Sequence, residues 1–393
     1  MDPSGGGGNP YPLAMDPRGG GGGRDRLSAL PSDVLLLILL RLDTATTGRT
    51  SVLSHHWRRI WALLPELRFP AGADLRLVAS ALAAHQAPIT FLHVRALDAA
   101  PEPVDACLAL AATRLSGRLV FQNRLSPADG DGGGEEEAAG GFDLDLPPQR
   151  HRGLPRPRLA LAVPTTGVVF ARLTELSLQR VRFRGSWDLG GDAVSSPRCP
   201  CLQKLSVTYA RGLPNLAIHS ESLLQLKLQR LDGLQELTIV AQALDRLHLI
   251  QASATTPLAA HISTPQLVWL AWLDCFDSTS IQLANWPRLE NLHSHFYVYA
   301  PHDVGLNHGF LRLLKQFQFI HHLNLTLVLV LYIKDIGNFQ CAMEDLTKLP
   351  CLTMLTIRVE HNGHAFGASL FHVLRICSDL RMLTLHLHGQ SDH

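Results

Sequence analysis

The chain has 393 residues, of which 46% are hydrophobic and 18% are charged, and its formal net charge is +1. This composition is typical of a folded protein, and the length allows two or three domains, or one small module and a repeat array. A near-neutral chain offers no concentrated basic surface, so we expect no nucleic-acid partner. The apolar stretch from Val34 to Leu40 is too short to span a bilayer, which requires about 20 residues, so we expect no membrane partner.

The N-terminal residues and the cysteines indicate where the protein resides. The N-terminus is rich in glycine and lacks the basic and apolar segments of a secretory signal. The seven cysteines form no regular framework, which favours reduced, buried thiols. These observations predict a cytoplasmic or nuclear protein, or one found in both. Glycine and proline dominate residues 1–23, which we predict to be a disordered tail.

Residues 24–69 carry the most informative pattern in the chain. The stretch from Val34 to Leu40 is apolar at every position, and a helix of that kind must be covered on all sides. A segment this short cannot supply all of the cover itself. We therefore expect one face of this helix to bind a partner protein.

Three helices are predicted within this segment. The first begins after Leu30-Pro31, with Ser32 or Asp33 near the N-cap, where a side-chain oxygen can accept hydrogen bonds from free backbone N–H groups. The second runs from about Thr44 to Leu53, and the third starts at Ser54, another residue that favours helix starts.

This segment resembles the F-box of plant F-box proteins. The family's order and spacing are matched by Leu30-Pro31, Asp33-Val34, Ile38-Leu39, Leu42-Asp43, Arg49 to Ser54 and Trp57-Arg58. Several matched positions over roughly forty residues are more specific than one short motif. The resemblance implies that the chain binds a Skp-type adaptor and, through it, a cullin of a ubiquitin ligase. It also implies that the adaptor-facing surface or its support includes Leu30, Pro31, Val34, Leu35, Ile38, Leu39, Val52, Leu53 and Trp57.

Two positions depart from the family pattern. Gly48 falls inside the second predicted helix, where glycine costs about 1 kcal/mol relative to alanine. His55 and His56 stand where the family has basic residues, so the charge there depends on pH. These departures support an alternative, in which the chain is an interaction scaffold that does not recruit a ligase.

Helical and strand patterns alternate between Asp74 and Phe121. Helices are predicted over 75–84 and 104–115, and strands over 89–94 and 119–121. Residues 126–158 then lack apolar periodicity and include three consecutive glutamates, so we predict a flexible insertion.

The pattern L-x-x-L-x-L recurs after Phe170. Its copies are Leu173-Leu176-Leu178, Leu202-Leu205-Val207, Leu223-Leu226-Leu228, Leu244-Leu247-Leu249, Leu267-Leu270-Trp272, the degraded Leu289-Leu292-Ser294, Ile320-Leu323-Leu325, Leu352-Leu355-Ile357 and Leu380-Leu383-Leu385. From Leu205 to Leu292 the steps are 21 to 23 residues, which is typical of leucine-rich repeats. Later steps leave room for helices over 306–317 and 366–377. The extra unit Leu234-Leu237-Ile239 indicates that some short repeats are backed by a second strand.

These repeats resemble the irregular leucine-rich repeats of plant F-box proteins, so the resemblance extends over most of the chain. The predicted fold is α/β, with an N-terminal three-helix F-box over 24–69 and an irregular leucine-rich-repeat solenoid over 70–393. Family members often continue into a further C-terminal segment. We expect that segment to be absent or truncated here, and the last repeat to lack a cap.

No catalytic motif is present. The chain contains no G-x-S-x-G elbow, phosphate-binding loop or H-E-x-x-H sequence, so we expect no enzymatic activity and no cofactor. The pairs His293-His295, His361-His364 and His386-His388 have no cysteine or acidic pair at zinc-site spacing. We therefore predict no metal site.

The repeats are predicted to bind a protein. Their leucines point into the core, and the alternating residues point outward on an exposed sheet surface. Candidate substrate-binding residues in this outward row are Lys227, Gln229, His248, His293, Asn324, Arg358 and His386. The resemblance implies a substrate-recognition subunit whose target protein the sequence does not identify. A small-molecule sensor of similar architecture is a further alternative, but it requires a deep pocket that no cluster of polar residues indicates.

Overall fold

The structure is a computed structural model that describes residues 30–50, 52, 55–97, 101–124, 169–181, 183, 196–250, 258–273, 281–283, 286–301, 307–317, 319–329, 339–361 and 364–388. The predicted tail over 1–23 and the predicted insertion over 126–158 lie outside these residues, as do Leu53 and Ser54. Among the helices of the described part, none is long and apolar enough to cross a membrane.

After three N-terminal helices, helices and strands alternate over 66–124, the described elements over 175–301 are all strands, and two further helices lie among the last strands. The helices are α1 (Ser32–Leu39), α2 (Thr44–Thr50), α3 (His55–Trp61), α4 (Leu75–Ala84), α5 (Pro101–Arg114), α6 (His308–Gln316) and α7 (Gly367–Arg375). The strands are β1 (Glu66–Phe69), β2 (Ile89–Leu97), β3 (Leu115–Arg124), β4 (Glu175–Gln179), β5 (Lys204–Arg211), β6 (Asn215–Ser220), β7 (Gln225–Asp232), β8 (Glu236–Ala241), β9 (Arg246–Ile250), β10 (Ala259–Ser263), β11 (Trp269–Leu273), β12 (Ile281–Leu283), β13 (Asn291–Tyr297), β14 (Tyr299–Pro301), β15 (His322–Val328), β16 (Phe339–Cys341), β17 (Met354–Glu360) and β18 (Met382–His388).

Within the described residues, one large parallel sheet organises the molecule. Its twelve strands follow the order β1-β2-β3-β4-β5-β7-β9-β11-β13-β15-β17-β18. A second, four-stranded parallel sheet has the order β12-β10-β8-β6, and β14 pairs antiparallel with β16. The predicted α/β class is therefore confirmed at the level of N-terminal helices followed by an extensive parallel sheet. The prediction that some repeats have a second strand is also confirmed, because the strands of the smaller sheet alternate in sequence with those of the large one.

One row of leucines runs across all twelve strands of the large sheet in register. The row consists of Leu67, Leu92, Leu119, Leu176, Leu205, Leu226, Leu247, Leu270, Leu292, Leu323, Leu355 and Leu383. Most of these side chains are buried. Each full burial of a leucine contributes about 2 kcal/mol, so the repeated motif stabilises the stack of strands along its whole length.

The helices after β1 form where the apolar periodicity predicts them. The bounds of α4 agree with the prediction, and α5, α6 and α7 lie within or close to the predicted ranges. Strand β3 is longer than the predicted 119–121, since it runs from Leu115 to Arg124.

Two predicted details of the first helices are wrong. Helix α1 has Pro31 as its N-cap, not Ser32 or Asp33, and no side chain caps it. The carbonyl of Pro31 accepts hydrogen bonds from the N–H groups of Val34 and Leu35 at 3.0 and 3.1 Å, so helical bonding starts one residue earlier. Helix α2 ends at Thr50, short of the predicted end at 53.

The N-terminal helices and the large sheet share one hydrophobic core. Leu35, Leu39, Trp57 and Ile60 belong to the same cluster of buried residues as Leu67 of β1. Helix α3 ends at Trp61 and β1 begins at Glu66, so only a short turn separates them.

A hydrogen bond ties the second helix to the sheet. The backbone N–H of Arg68 donates to the hydroxyl of Thr44, which is buried at the start of α2. Thr47, also buried, donates to the carbonyl of Asp43 at 2.8 Å. These threonines satisfy backbone groups at the boundary between the helices and the sheet, so the boundary is packed and bonded rather than open.

The opposite end of the large sheet is uncovered within the described part of the chain. Strand β18 pairs with β17 alone. Its core-facing side chains Leu383, Leu385 and Leu387 remain 44%, 42% and 52% exposed, although the same positions on inner strands are buried. An inner strand has neighbours on both sides, whereas β18 has one.

Candidate functional site

Helix α1 has two apolar faces. Leu35 and Leu39, four residues apart, are 0% and 1% exposed and pack into the core. Val34, Leu37 and Ile38 lie on another side of the helix and are 40%, 64% and 38% exposed. Residues three and four apart share a helix face, so these three form one surface, named here the α1 patch. An exposed apolar surface of this kind is typical of a protein-binding site.

Some of the predicted adaptor-binding residues are exposed at the surface, and the others are half-buried or buried beneath it. Val34, Ile38, Pro31 and Val52 are exposed, and Val52 is the most exposed of them at 82%. The remaining described residues of the set are half-buried or buried, and therefore support the surface from below: Leu30, Leu35, Leu39 and Trp57. Leu53 lies outside the described residues.

Leu37 is a surface residue that the sequence analysis missed. It is the most exposed residue of the α1 patch. Its spacing of three from Val34 was the available signal. In a run that is apolar at every position, however, the spacing alone does not show which face packs inside.

The second helix forms across the unusual glycine. Asp43 accepts hydrogen bonds from the N–H and the hydroxyl of Thr46, both at 2.8 Å, and so caps α2. A Cβ added to Gly48 would come no closer than 3.9 Å to its nearest neighbour, the Nε1 atom of Trp61. Asp43 therefore stabilises the start of a short helix that contains a residue of low helix propensity.

The large sheet presents a second candidate site on the side opposite the leucine row. We name this side the outer face, and its residues form three rows across the strands. The lower row is Glu66, Phe91, Arg118, Glu175, Lys204, Gln225, Arg246, Trp269, Asn291, His322, Met354 and Met382. The middle row is Arg68, His93, Val120, Ser177, Ser206, Lys227, His248, Ala271, His293, Asn324, Thr356 and Thr384. The upper row is Arg95, Gln122, Gln179, Thr208, Gln229, Ile250, Leu273, His295, Thr326, Arg358 and His386.

The predicted substrate-binding residues all lie on this outer face. Six of them form three neighbouring pairs in register: Lys227 with His248, His293 with Asn324, and Arg358 with His386. Gln229 lies two residues from Lys227 on the same strand. The structure therefore brings them together in small groups rather than in one cluster.

Three of these residues are not exposed as predicted. Gln229, His248 and His293 are only 4%, 5% and 3% exposed. Neighbouring strands lie about 4.8 Å apart, so side chains of adjacent strands cover one another across a wide parallel sheet. The ring of His248, for example, lies 4.2 Å from the ring of Trp269, measured between centroids. Trp269 is a half-buried aromatic residue of the outer face that the sequence analysis missed.

Burial also determines the charge of these histidines. It lowers the pKa of His248 and of His293 to about 3, and that of His295 to about 4. Nearby cations act in the same direction: Lys227 and Arg246 beside His248, and Arg358 beside the other two. All three imidazoles are therefore neutral at pH 7.

The described residues contain no group of three or more histidine, cysteine, aspartate or glutamate side chains that could hold a metal ion. The rings of His293 and His295 are close, with centroids 6.3 Å apart.

The N-terminal helices and their apolar patch define the class of protein. Residues 27–69 match the model of the F-box domain. The chain thus carries an F-box domain, and it is similar to plant F-box proteins.

Three relatives from Arabidopsis thaliana illustrate the similarity. An F-box/FBD/LRR-repeat protein is 38% identical over 74 residues, which is 17% of this chain and 16% of the relative. A putative FBD-associated F-box protein is 40% identical over 106 residues, 25% of each chain. An F-box protein is 56% identical over 45 residues, 12% of this chain and 11% of the relative. The matched segments thus span a quarter or less of these relatives.

Proposed function

We propose that the chain is a substrate-recognition subunit of a cullin-type ubiquitin ligase, without catalytic activity of its own. In this proposal the F-box binds a Skp-type adaptor, and through it a cullin. The large sheet acts as an irregular leucine-rich-repeat solenoid whose outer face binds a target protein. Holding the target beside the ubiquitin-carrying enzyme raises its effective concentration, which requires no bond-making by this chain.

The α1 patch is the observation that carries this proposal. It lies within the residues that match the F-box domain, and it exposes three large apolar side chains on a helix that the core holds from the other side. The burial of Leu35 and Leu39 fixes the direction in which the patch faces. A partner that covers it removes apolar area from water, which is a favourable source of binding energy.

Adaptor capture by the purified full chain tests the proposal. Leu37→Asp places a charge in the α1 patch and should reduce capture of a Skp-type adaptor by about tenfold or more, as expected for a central interface residue. The matched control is Leu77→Asp on α4, because Leu77 is 68% exposed and Leu37 is 64% exposed. We expect this control to leave capture unchanged.

Either of two results would contradict the proposal. One is failure of the unmodified chain to capture the adaptor at neutral pH, which would favour an interaction scaffold that recruits no ligase. The other is equal loss of capture in the two aspartate variants, since that would show that the α1 patch is not the contact surface.

A further inference from the structure

Lysine is scarce in this chain and unevenly placed. Of the 35 lysine and arginine residues, five are lysines: Lys204, Lys227, Lys315, Lys334 and Lys348. Residues 1–203 therefore contain arginine but no lysine, and this range includes the whole segment that matches the F-box domain. The distinction is chemical, because ubiquitin is transferred to the amine of lysine, whereas the guanidinium group of arginine stays protonated in proteins.

Two of the lysines belong to the outer face of the large sheet. Lys204 lies in the lower row on β5, where its Nζ atom contacts a carboxylate oxygen of Glu175 at 2.9 Å. Lys227 lies in the middle row on β7 and is half-buried. Burial lowers the pKa of the Lys227 amine, and the charge of this amine helps to lower the pKa of His248 on the next strand. Both amines are therefore held against neighbouring side chains of the sheet.

Lys315 is exposed on the other side of the large sheet, in the last turn of α6. The ring of Phe310 on this helix lies 6.1 Å from that of Phe296 on β13, measured between centroids, and both residues belong to the core. Phe296 lies four residues after Leu292 on the same strand, so the two face the same side of the sheet. Helix α6 therefore covers the side that carries the leucine row, and Lys315 lies on its solvent-exposed surface.

Lys348 is exposed in a short irregular segment before β17. Leu346 and Leu349 beside it are 0% and 4% exposed and belong to the same core as the leucine row. These buried leucines hold the segment in place, so the Lys348 amine is presented to solvent at a position that the core determines. Lys334 lies outside the described residues.

We propose that Lys315 and Lys348 are the ubiquitin acceptors of this chain, and that Lys204 and Lys227 are spared. This inference rests on the proposed function, because it names where the ligase modifies its own recognition subunit. A target on the outer face would cover Lys204 and Lys227 but leave α6 and the segment before β17 accessible. Modification would also leave the F-box segment unaltered, since that segment contains no lysine.

The reaction forms an amide at the lysine side chain. After the ammonium group loses one proton to solvent, the neutral Nζ atom attacks the carbonyl carbon of the thioester that joins ubiquitin to a cysteine of the conjugating enzyme. A C–N bond forms, the C–S bond breaks, and the cysteine leaves as a thiolate that takes up the second proton of the amine. The flexible stem of an exposed lysine can carry its amine into the conjugating enzyme.

Lys227 distinguishes accessibility from basicity as the deciding property. Its lowered pKa favours the neutral, reactive amine, but its side chain is half-buried within the middle row. The inference holds that accessibility decides, so Lys227 should stay unmodified although its amine loses a proton more readily.

Ubiquitination of the full chain in a reconstituted reaction tests the inference. The reaction contains the chain, a Skp-type adaptor, a cullin with its catalytic partner subunit, the activating and conjugating enzymes, ubiquitin and ATP. After trypsin digestion, mass spectrometry detects the two-glycine remnant that ubiquitin leaves on each modified lysine. We expect remnants on Lys315 and Lys348, and none on Lys204 or Lys227.

Charge-conserving variants test the same point by gel shift. Lys315→Arg/Lys348→Arg should lose most of the ubiquitinated product, and it should fold normally because both positions are exposed. The matched control, Lys204→Arg/Lys227→Arg, also removes two lysines and should form as much product as the unmodified chain. If the half-buried position makes this control misfold, Lys204→Arg alone takes its place.

Three results would overturn the inference. These are remnants mainly on any other lysine, undiminished ubiquitination of Lys315→Arg/Lys348→Arg, and adaptor capture without any ubiquitination of the chain. In each case the adaptor is still captured, so the proposed function stands and only this inference fails. Failure of adaptor capture would instead remove the proposed function, and this inference with it.

Discussion

Two buried histidines make the stability of the fold sensitive to mild acid. The ordinary pKa of histidine is 6.5, and those of His248 and His293 are lowered to about 3 in the folded protein. As the pH falls through 6.5, the unfolded chain takes up protons at these positions, and the folded chain does not until about pH 3. The stability supplied by the neutral rings is thus complete above pH 6.5 and decreases as the pH falls toward 3.

The size of this effect follows from the width of the pH interval. One pH unit below the unfolded pKa costs about 1.4 kcal/mol for each histidine that stays neutral in the fold. Acidification to about pH 5 therefore lowers the free energy of unfolding by about 2 kcal/mol for each ring. His248 and His293 together account for about 4 kcal/mol, a large part of the usual stability of a domain.

Urea unfolding at about pH 7 and about pH 5, followed by tryptophan fluorescence, measures this loss. His293→Gln removes one titrating ring and should shrink the difference between the two pH values by about 2 kcal/mol. The control is Ser294→Ala, which removes the hydrogen bond from the Ser294 hydroxyl to the Trp272 carbonyl, 2.7 Å long, but no titrating group. It should lower stability equally at both pH values. An unchanged pH dependence in His293→Gln would refute the reasoning.

Two further pairs of variants test the packing of the sheet. Leu247→Ala, at a position that is 0% exposed, should cost about 3 kcal/mol in urea unfolding, whereas Leu383→Ala on the uncovered β18 should cost less than about 1 kcal/mol. Equal losses would show that β18 is covered in solution. Gly72 and Gly212 both have a φ of 80°, but only at Gly212 would a Cβ overlap another group, the carbonyl oxygen of Phe183. Gly72→Ala should cost about 1 kcal/mol and Gly212→Ala several times more, and a similar Tm for the two variants would contradict the described packing.

The elements of the fold could be predicted because their signals are local. The helix over 75–84 has apolar residues at helical spacing, and the strands of the leucine row after β1 carry a period of two or the leucine motif, whereas β1 was not predicted. The short connections in the middle of the chain also left room for a second strand but not for a helix.

The properties of the outer face depend on contacts between distant residues. His248 is buried because Trp269, from the next strand of the sheet, covers its ring. The sequence pattern around these two residues does not predict this contact. The exposure of Leu37 could not be predicted for a different reason. Positions 34–40 are all apolar, so the sequence does not distinguish the buried face of the helix from the exposed one.

The continuous core beneath the F-box bears on how the chain can be divided experimentally. Removing residues up to the start of β1 would strip Leu35, Leu39, Trp57 and Ile60 from the cluster that contains Leu67. It would also leave the first strand of the large sheet without its neighbouring helices. Such a truncation would therefore disturb the large sheet itself, in addition to removing the proposed adaptor-binding surface. Only a short turn joins α3 to β1, so under the proposed function a bound target would be held at a fixed orientation to the adaptor. The lysines available for modification would then be selected by their position on the target surface.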